Sequence, residues 1–153
     1  MKKVFLFLLP ALLLISCDSS KVYQKFEDMP NNTWARDNVV TFTVDIQDIE
    51  SAYDVDLAVR HTSYYPWANL KVNLTSVYPS GEERTRDYEF FVRNTDSSFK
   101  GEGAGDIWDI NFEWLSDITF PEKGIYTFKV QNIMPLVETA DIMQIGLIVR
   151  KSE

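Results

Sequence analysis

The run VVTFTVDI, residues 39–46, decides the fold. Val40, Phe42, Val44 and Ile46 fall at every second position, with Thr41, Thr43 and Asp45 between them. A period of two places the four apolar side chains on one face of an extended chain, whereas a helix would scatter them around its axis. β-branched and aromatic residues, which fit a pleated surface, fill most of the run. It therefore predicts a half-buried strand.

Working outward, the same period recurs. YDVDLAVRH (53–61) places Tyr53, Val55, Leu57 and Val59 inward and Asp54, Asp56 and Arg60 outward. LKVNLTSVY (70–78) repeats it, Pro79-Ser80-Gly81 supplies turn chemistry, and residues 84–93 return as the second arm of a hairpin. IWDINFEW, YTFKVQNI and IMQIGLIVR are also strand-like, separated by Ser116-Asp117 with Pro121 to Gly124, and by Pro135 to Asp141. No helical stripe of comparable length competes. The prediction is an all-β chain, a single antiparallel β-sandwich, jelly-roll-like, of about seven to eight strands spanning residues 39–153.

The opening residues, MKKVFLFLLPALLLISC, have a different character: two lysines, an apolar run, and a small residue before a cysteine. The run falls short of the roughly 20 apolar residues that cross a bilayer, and reads as a secretion signal over residues 1–16. Leu14-Ile15-Ser16-Cys17 resembles a bacterial lipoprotein box, in which the cysteine sulfur takes a diacylglycerol and the freed amino terminus is acylated. Several acyl chains, at about 0.8 kcal/mol per buried methylene, make such an attachment lasting. Residues 17–38 then form the lipidated cysteine, a tether and an irregular lead-in pinned by Phe26 and Trp34. Cys17 is the only cysteine, so no disulfide is available and the core alone must hold the domain.

Charge narrows the partners. Without Lys2 and Lys3 the 15 basic side chains become 13 against 23 acidic ones, a net charge of about −10. Nucleic acid is a poor partner for such a surface, because binding phosphate backbones requires clustered Lys and Arg.

Candidate chemistry concentrates in GEGAGDIWD (101–109). A phosphate loop needs a helix after its glycines, yet Trp108, Ile110, Phe112 and Trp114 alternate as a strand does, and Asp106 adds negative charge where an anion should sit. Calcium is the better ligand to weigh, with Asp96, Glu102, Asp106 and Asp109 as hard oxygen donors, although the spacing matches no known ligand loop. Otherwise the glycines serve a turn or bulge. His61, the only histidine, lacks companions for zinc or a serine triad and reads as an ordinary surface residue at a strand end. Tyr64, Tyr65 and Trp67 flank Pro66 in a loop, the place where exposed aromatics stack on sugars or anchor a protein partner. No catalytic residue, metal set or cofactor emerges.

Taken together and in order, VYQKFEDMPNNTW, RHTSYYPWANL, GEGAGDIWDI, PEKGIYTFKVQNIM and IGLIVRK resemble the gliding motility lipoproteins of the GldH family of Bacteroidota. The resemblance implies a non-catalytic cell-envelope lipoprotein, anchored through Cys17 to the outer or inner membrane and facing the periplasm. It implies support of gliding or of the associated type IX secretion machinery through contacts with other envelope proteins. The alternative is a glycan-binding β-sandwich lipoprotein using Tyr64, Tyr65 and Trp67.

Overall fold

A computed structural model describes residues 20–152. Signal residues 1–16 and Cys17 lie outside them. In chain order the strands are β1 (Lys21–Asp28), β2 (Thr33–Ala35), β3 (Val40–Ile46), β4 (Tyr53–Thr62), β5 (Asn69–Val77), β6 (Glu83–Phe91), β7 (Glu102–Ala104), β8 (Ile107–Ile118), β9 (Gly124–Asn132), β10 (Glu138–Ala140) and β11 (Ile142–Lys151). Five strands in the order β1-β11-β4-β8-β7 form one sheet and four in the order β3-β9-β5-β6 form the other; β10 and β2 pair as a small third sheet. All the pairings are antiparallel.

The seven strands expected from alternation are β3, β4, β5, β6, β8, β9 and β11. β3 shows the cause plainly, with Val40, Phe42, Val44 and Ile46 buried and the residues between them exposed. The inner faces of the two large sheets meet through ring pairs: Trp114 of β8 against Phe128 of β9 at 5.3 Å and Phe90 of β6 stacked on Phe112 of β8 at 4.6 Å. Such pairs contribute about 0.5–1.5 kcal/mol each beyond the area they bury.

Residues 21–28 are not an irregular lead-in but strand β1, added to the edge of the five-stranded sheet along β11. Only Tyr23 and Glu27 in β1 are even half-buried, so the strand has no buried stripe for alternation to reveal. Phe26 lies on Gly146 of β11, where an added Cβ would come 2.4 Å from the ring. Asp56, outward by alternation, is buried and accepts a hydrogen bond from Arg150 at 2.5 Å. Its carboxyl is nonetheless raised above the usual range, because burial outweighs the nearby guanidinium.

β8 also runs further than expected. Ser116 and Asp117 fall within it, and the register against β4 shifts between Tyr53 and Val55 and again between Val55 and Asp56. Asp117 takes a positive φ of 51° while its backbone N–H donates to the Asp54 carboxylate at 2.9 Å. These are bulges, which bend and twist the strand that carries them.

Candidate functional site

Two stretches singled out in the sequence, 62–69 and 101–109, meet at one end of the sandwich. The Ser63 N–H donates to the Asp106 carbonyl at 2.8 Å, and the Trp108 indole N–H reaches the Ser63 hydroxyl at 3.3 Å. The Thr62 hydroxyl donates to the Asp141 carboxylate at 2.7 Å, tying the same end to the start of β11. Beneath them lies an aromatic stack in which His61 sits 4.8 Å from Phe99 and 5.5 Å from Tyr65, with Phe99 5.3 Å from Trp108. Arg93 closes it, with its guanidinium 3.7 Å from the Phe99 ring centre and one N–H donated to the Tyr65 carbonyl at 2.9 Å.

The glycines of 101–109 serve this geometry. Gly101 has φ +86° and Gly105 φ +62°, backbone angles that other residues resist. A Cβ on Gly101 would meet the Asp109 carbonyl oxygen at 2.1 Å, and one on Gly103 would meet the Trp108 ring at 2.9 Å. The segment is the β7–β8 hairpin, folded tightly enough that two of its glycines touch the returning strand.

The candidate contact residues separate. Tyr64 is 72% exposed, Tyr65 is fully buried, and Trp67 is half-buried against the core. Tyr65 points inward because its hydroxyl donates to the Asn69 carbonyl at 2.8 Å and its ring packs on His61. It is therefore unavailable to a sugar or a partner, and of the three rings only Tyr64 is exposed, with Trp67 half-buried. Asp109 is committed to Arg60 through two hydrogen bonds of 2.7 and 2.9 Å, while Asp106 contributes its backbone carbonyl to Ser63. Among the described residues, no three His, Cys, Asp or Glu side chains gather closely enough to hold a metal ion.

His61, expected at the surface, is fully buried. Its Nδ1–H donates to the Thr62 carbonyl at 2.9 Å, while Nε2 has no hydrogen-bond partner among the described residues. Burial holds the imidazole below its ordinary pKa, in the neutral form. Alternation does not mark Phe99 and Arg93, which complete this end of the molecule. The available signal was a lone aromatic in the polar run NTDSSFK (94–100).

A second cluster organises PNNTW (30–34). Asn31 and Asn32 both take positive φ, 54° and 53°, which turns the chain so that Trp34 drops into the core. The buried Asn132 amide donates to the Trp34 carbonyl at 2.8 Å and to the Thr139 hydroxyl at 2.9 Å, and its oxygen accepts the Met134 N–H at 2.9 Å. That network joins the small β2–β10 sheet to the end of β9.

The family model described as GldH lipoprotein matches residues 21–149, which is nearly all of the described chain. The chain belongs to the GldH lipoprotein family. A protein of Christiangramia forsetii named gliding motility lipoprotein GldH homolog is 26% identical over 157 residues, covering 98% of this chain and 96% of that one. The gliding motility lipoprotein GldH of Flavobacterium johnsoniae is 30% identical over 125 residues, covering 82% of this chain and 77% of that one. A solved structure of infectious bursal disease virus Gx strain aligns with 85% of this chain and 29% of that chain at 16% identity, with a TM-score of 0.30 that is too low to bear on fold or function. Membership makes this GldH-family chain a lipid-anchored protein of the cell envelope. No helix among the described residues is long and apolar enough to cross a membrane.

Proposed function

We propose that this lipoprotein supports gliding motility, and the type IX secretion machinery associated with it, through non-catalytic contacts with other envelope proteins. Cys17 anchors it by lipid, and the β-sandwich faces the periplasm. The family match over residues 21–149 is the observation that carries the reading. The side chains that invited a chemical reading also have structural work: His61 is walled in by Tyr65 and Phe99, and Asp109 is paired with Arg60. The proposal assigns no cofactor. Tyr64, exposed at the end of the molecule where the two motifs meet, is the first candidate contact. Deleting the gene and scoring colony spreading, secretion of type IX cargo and envelope integrity tests the proposal. A defect in spreading or secretion, restored by the wild-type gene, is expected; normal behaviour in all three would overturn it.

A further inference from the structure

The sandwich is unfinished along one flank. Among the described residues β6 is the outer strand of the four-stranded sheet, and its nine residues pair only with β5. On the facing sheet β7 pairs with β8 only from Ile107 to Asp109, so among the described residues β8 has a strand neighbour on one side alone from Ile110 to Ile118. Two edges that no further strand covers among the described residues therefore lie on the same side of the molecule. Between them opens a cleft of about 600 Å³ with Leu74, Trp114, Leu115 and Ile118 among its apolar walls. The register shifts of β8 occur at this place, and both Trp114 and Leu115 contribute to the cleft.

The rim of the cleft has an unusual charge. The chain carries a net −8, yet β6 presents Arg84 and Arg86 to the cleft. Arg84 lies over the Tyr78 ring at 4.8 Å and Arg86 over the Tyr88 ring at 5.5 Å. Arg84 also pairs with Glu82 at 2.8 Å, whereas no carboxylate partner of Arg86 occurs among the described residues. Buried apolar surface below, two guanidinium groups at the mouth and unpaired strand edges beside them describe a receptor for an extended peptide.

We infer that this flank takes up a β-strand from another protein, which extends the four-stranded sheet along β6. Its inward face carries two carboxylates at alternate positions, opposite Arg84 and Arg86, and then apolar side chains that enter the cleft. The inference rests on the reading that the chain works through protein contacts, and it specifies the chemistry of the partner. A lipid acid would use the arginines and the apolar walls but would leave both strand edges unpaired. A second copy of the chain is disfavoured, because the two-fold antiparallel register that keeps all nine residues of β6 paired sets Asp87 against Asp87.

The test uses the full acylated chain in detergent micelles and a blocked peptide of about nine residues. On one face the peptide has two glutamates and then two isoleucines at alternate positions, with threonines between them. Amide hydrogen exchange of β6 and β8 is followed with this peptide, with its lysine counterpart and with a scrambled control. The glutamate peptide is expected to slow exchange along β6, and R84E/R86E should weaken its binding by about tenfold or more while admitting the lysine peptide. R84Q/R86Q, which should lose affinity without reversing preference, guards against a folding defect in the charge-reversed variant. No protection of β6, equal protection by the scrambled peptide, protection by anionic lipid micelles instead, or a stable dimer at micromolar concentration would each overturn the inference. Complementation separates the two levels. A deletion without phenotype removes the functional reading itself, whereas a deletion phenotype fully restored by R84E/R86E removes only the strand-docking flank.

Discussion

Replacing the glycines of 101–109 with alanine, one at a time, tests the packing that joins the two family motifs. Gly105 has φ +62° with no atom of the described residues within 4 Å of an added Cβ, so Gly105→Ala meets backbone strain alone, about 1–2 kcal/mol. Gly103 has ordinary angles but a Cβ would press on the Trp108 ring at 2.9 Å. That ring is held by Phe99 and by its bond to Ser63, so displacing it costs about 1–3 kcal/mol, as overpacking does. Gly101 combines both faults, since φ is +86° and the Cβ would overlap a backbone oxygen at 2.1 Å. The oxygen belongs to Asp109 in the paired region of β8, so relief requires moving the strand, and about 4 kcal/mol or more is expected from strain and overlap together. Urea unfolding followed by tryptophan fluorescence gives the three values. At about 3 °C per kcal/mol for a domain of this size, Gly101→Ala should lower Tm by more than 10 °C and Gly105→Ala by about 3–6 °C. A Gly101→Ala variant no less stable than Gly105→Ala would mean that the hairpin does not close on β8 in this way.

Other outcomes follow from single contacts. Tyr65→Phe leaves the Asn69 carbonyl without its donor and should cost about 1 kcal/mol in the same unfolding assay, whereas Tyr64→Ala, at an exposed ring, should change stability by less than about 0.5 kcal/mol. Burial lowers the folded-state pKa of His61, so the unfolded chain binds the proton first. The stability contributed by the neutral ring is thus complete above the unfolded value of about 6.5 and declines as pH falls below it; His61→Gln should flatten that part of the pH profile. Cys17→Ala should move the protein from the membrane to the soluble fraction on centrifugation, and persistent membrane association would contradict the anchor.

The strands legible in the sequence are those whose two faces see different surroundings. β3 and β9 have one face in the core and one in water, so their alternation is clean. β1 is mostly exposed on both faces and β2, β7 and β10 have three residues each, too few to establish a period. β4 errs the other way. Asp56 and Ala58 are buried on its outer face, in the middle of a five-stranded sheet where neighbours cover even a polar side chain. The glycine-rich segment was legible as a strand entry because its alternation begins at once. The fate of Tyr65 was not, since Tyr64 and Tyr65 are the same residue type in the same loop. Only the hydroxyl's bond to Asn69 and the ring contact with His61, both set by the tertiary fold, turn one in and leave the other out.

The proposed role of the anchored sandwich, holding other envelope proteins, can be read at the envelope itself. Gentle detergent extraction of envelopes, followed by purification of the tagged, acylated chain and quantitative mass spectrometry, measures this directly. A stable complex with gliding or secretion proteins at fixed stoichiometry, present for the wild type and lost when the docking surface is altered without unfolding, is the predicted result. Recovery of the chain alone from envelopes in which those proteins are intact and abundant, with chemical crosslinking adding no specific neighbour, would contradict the account.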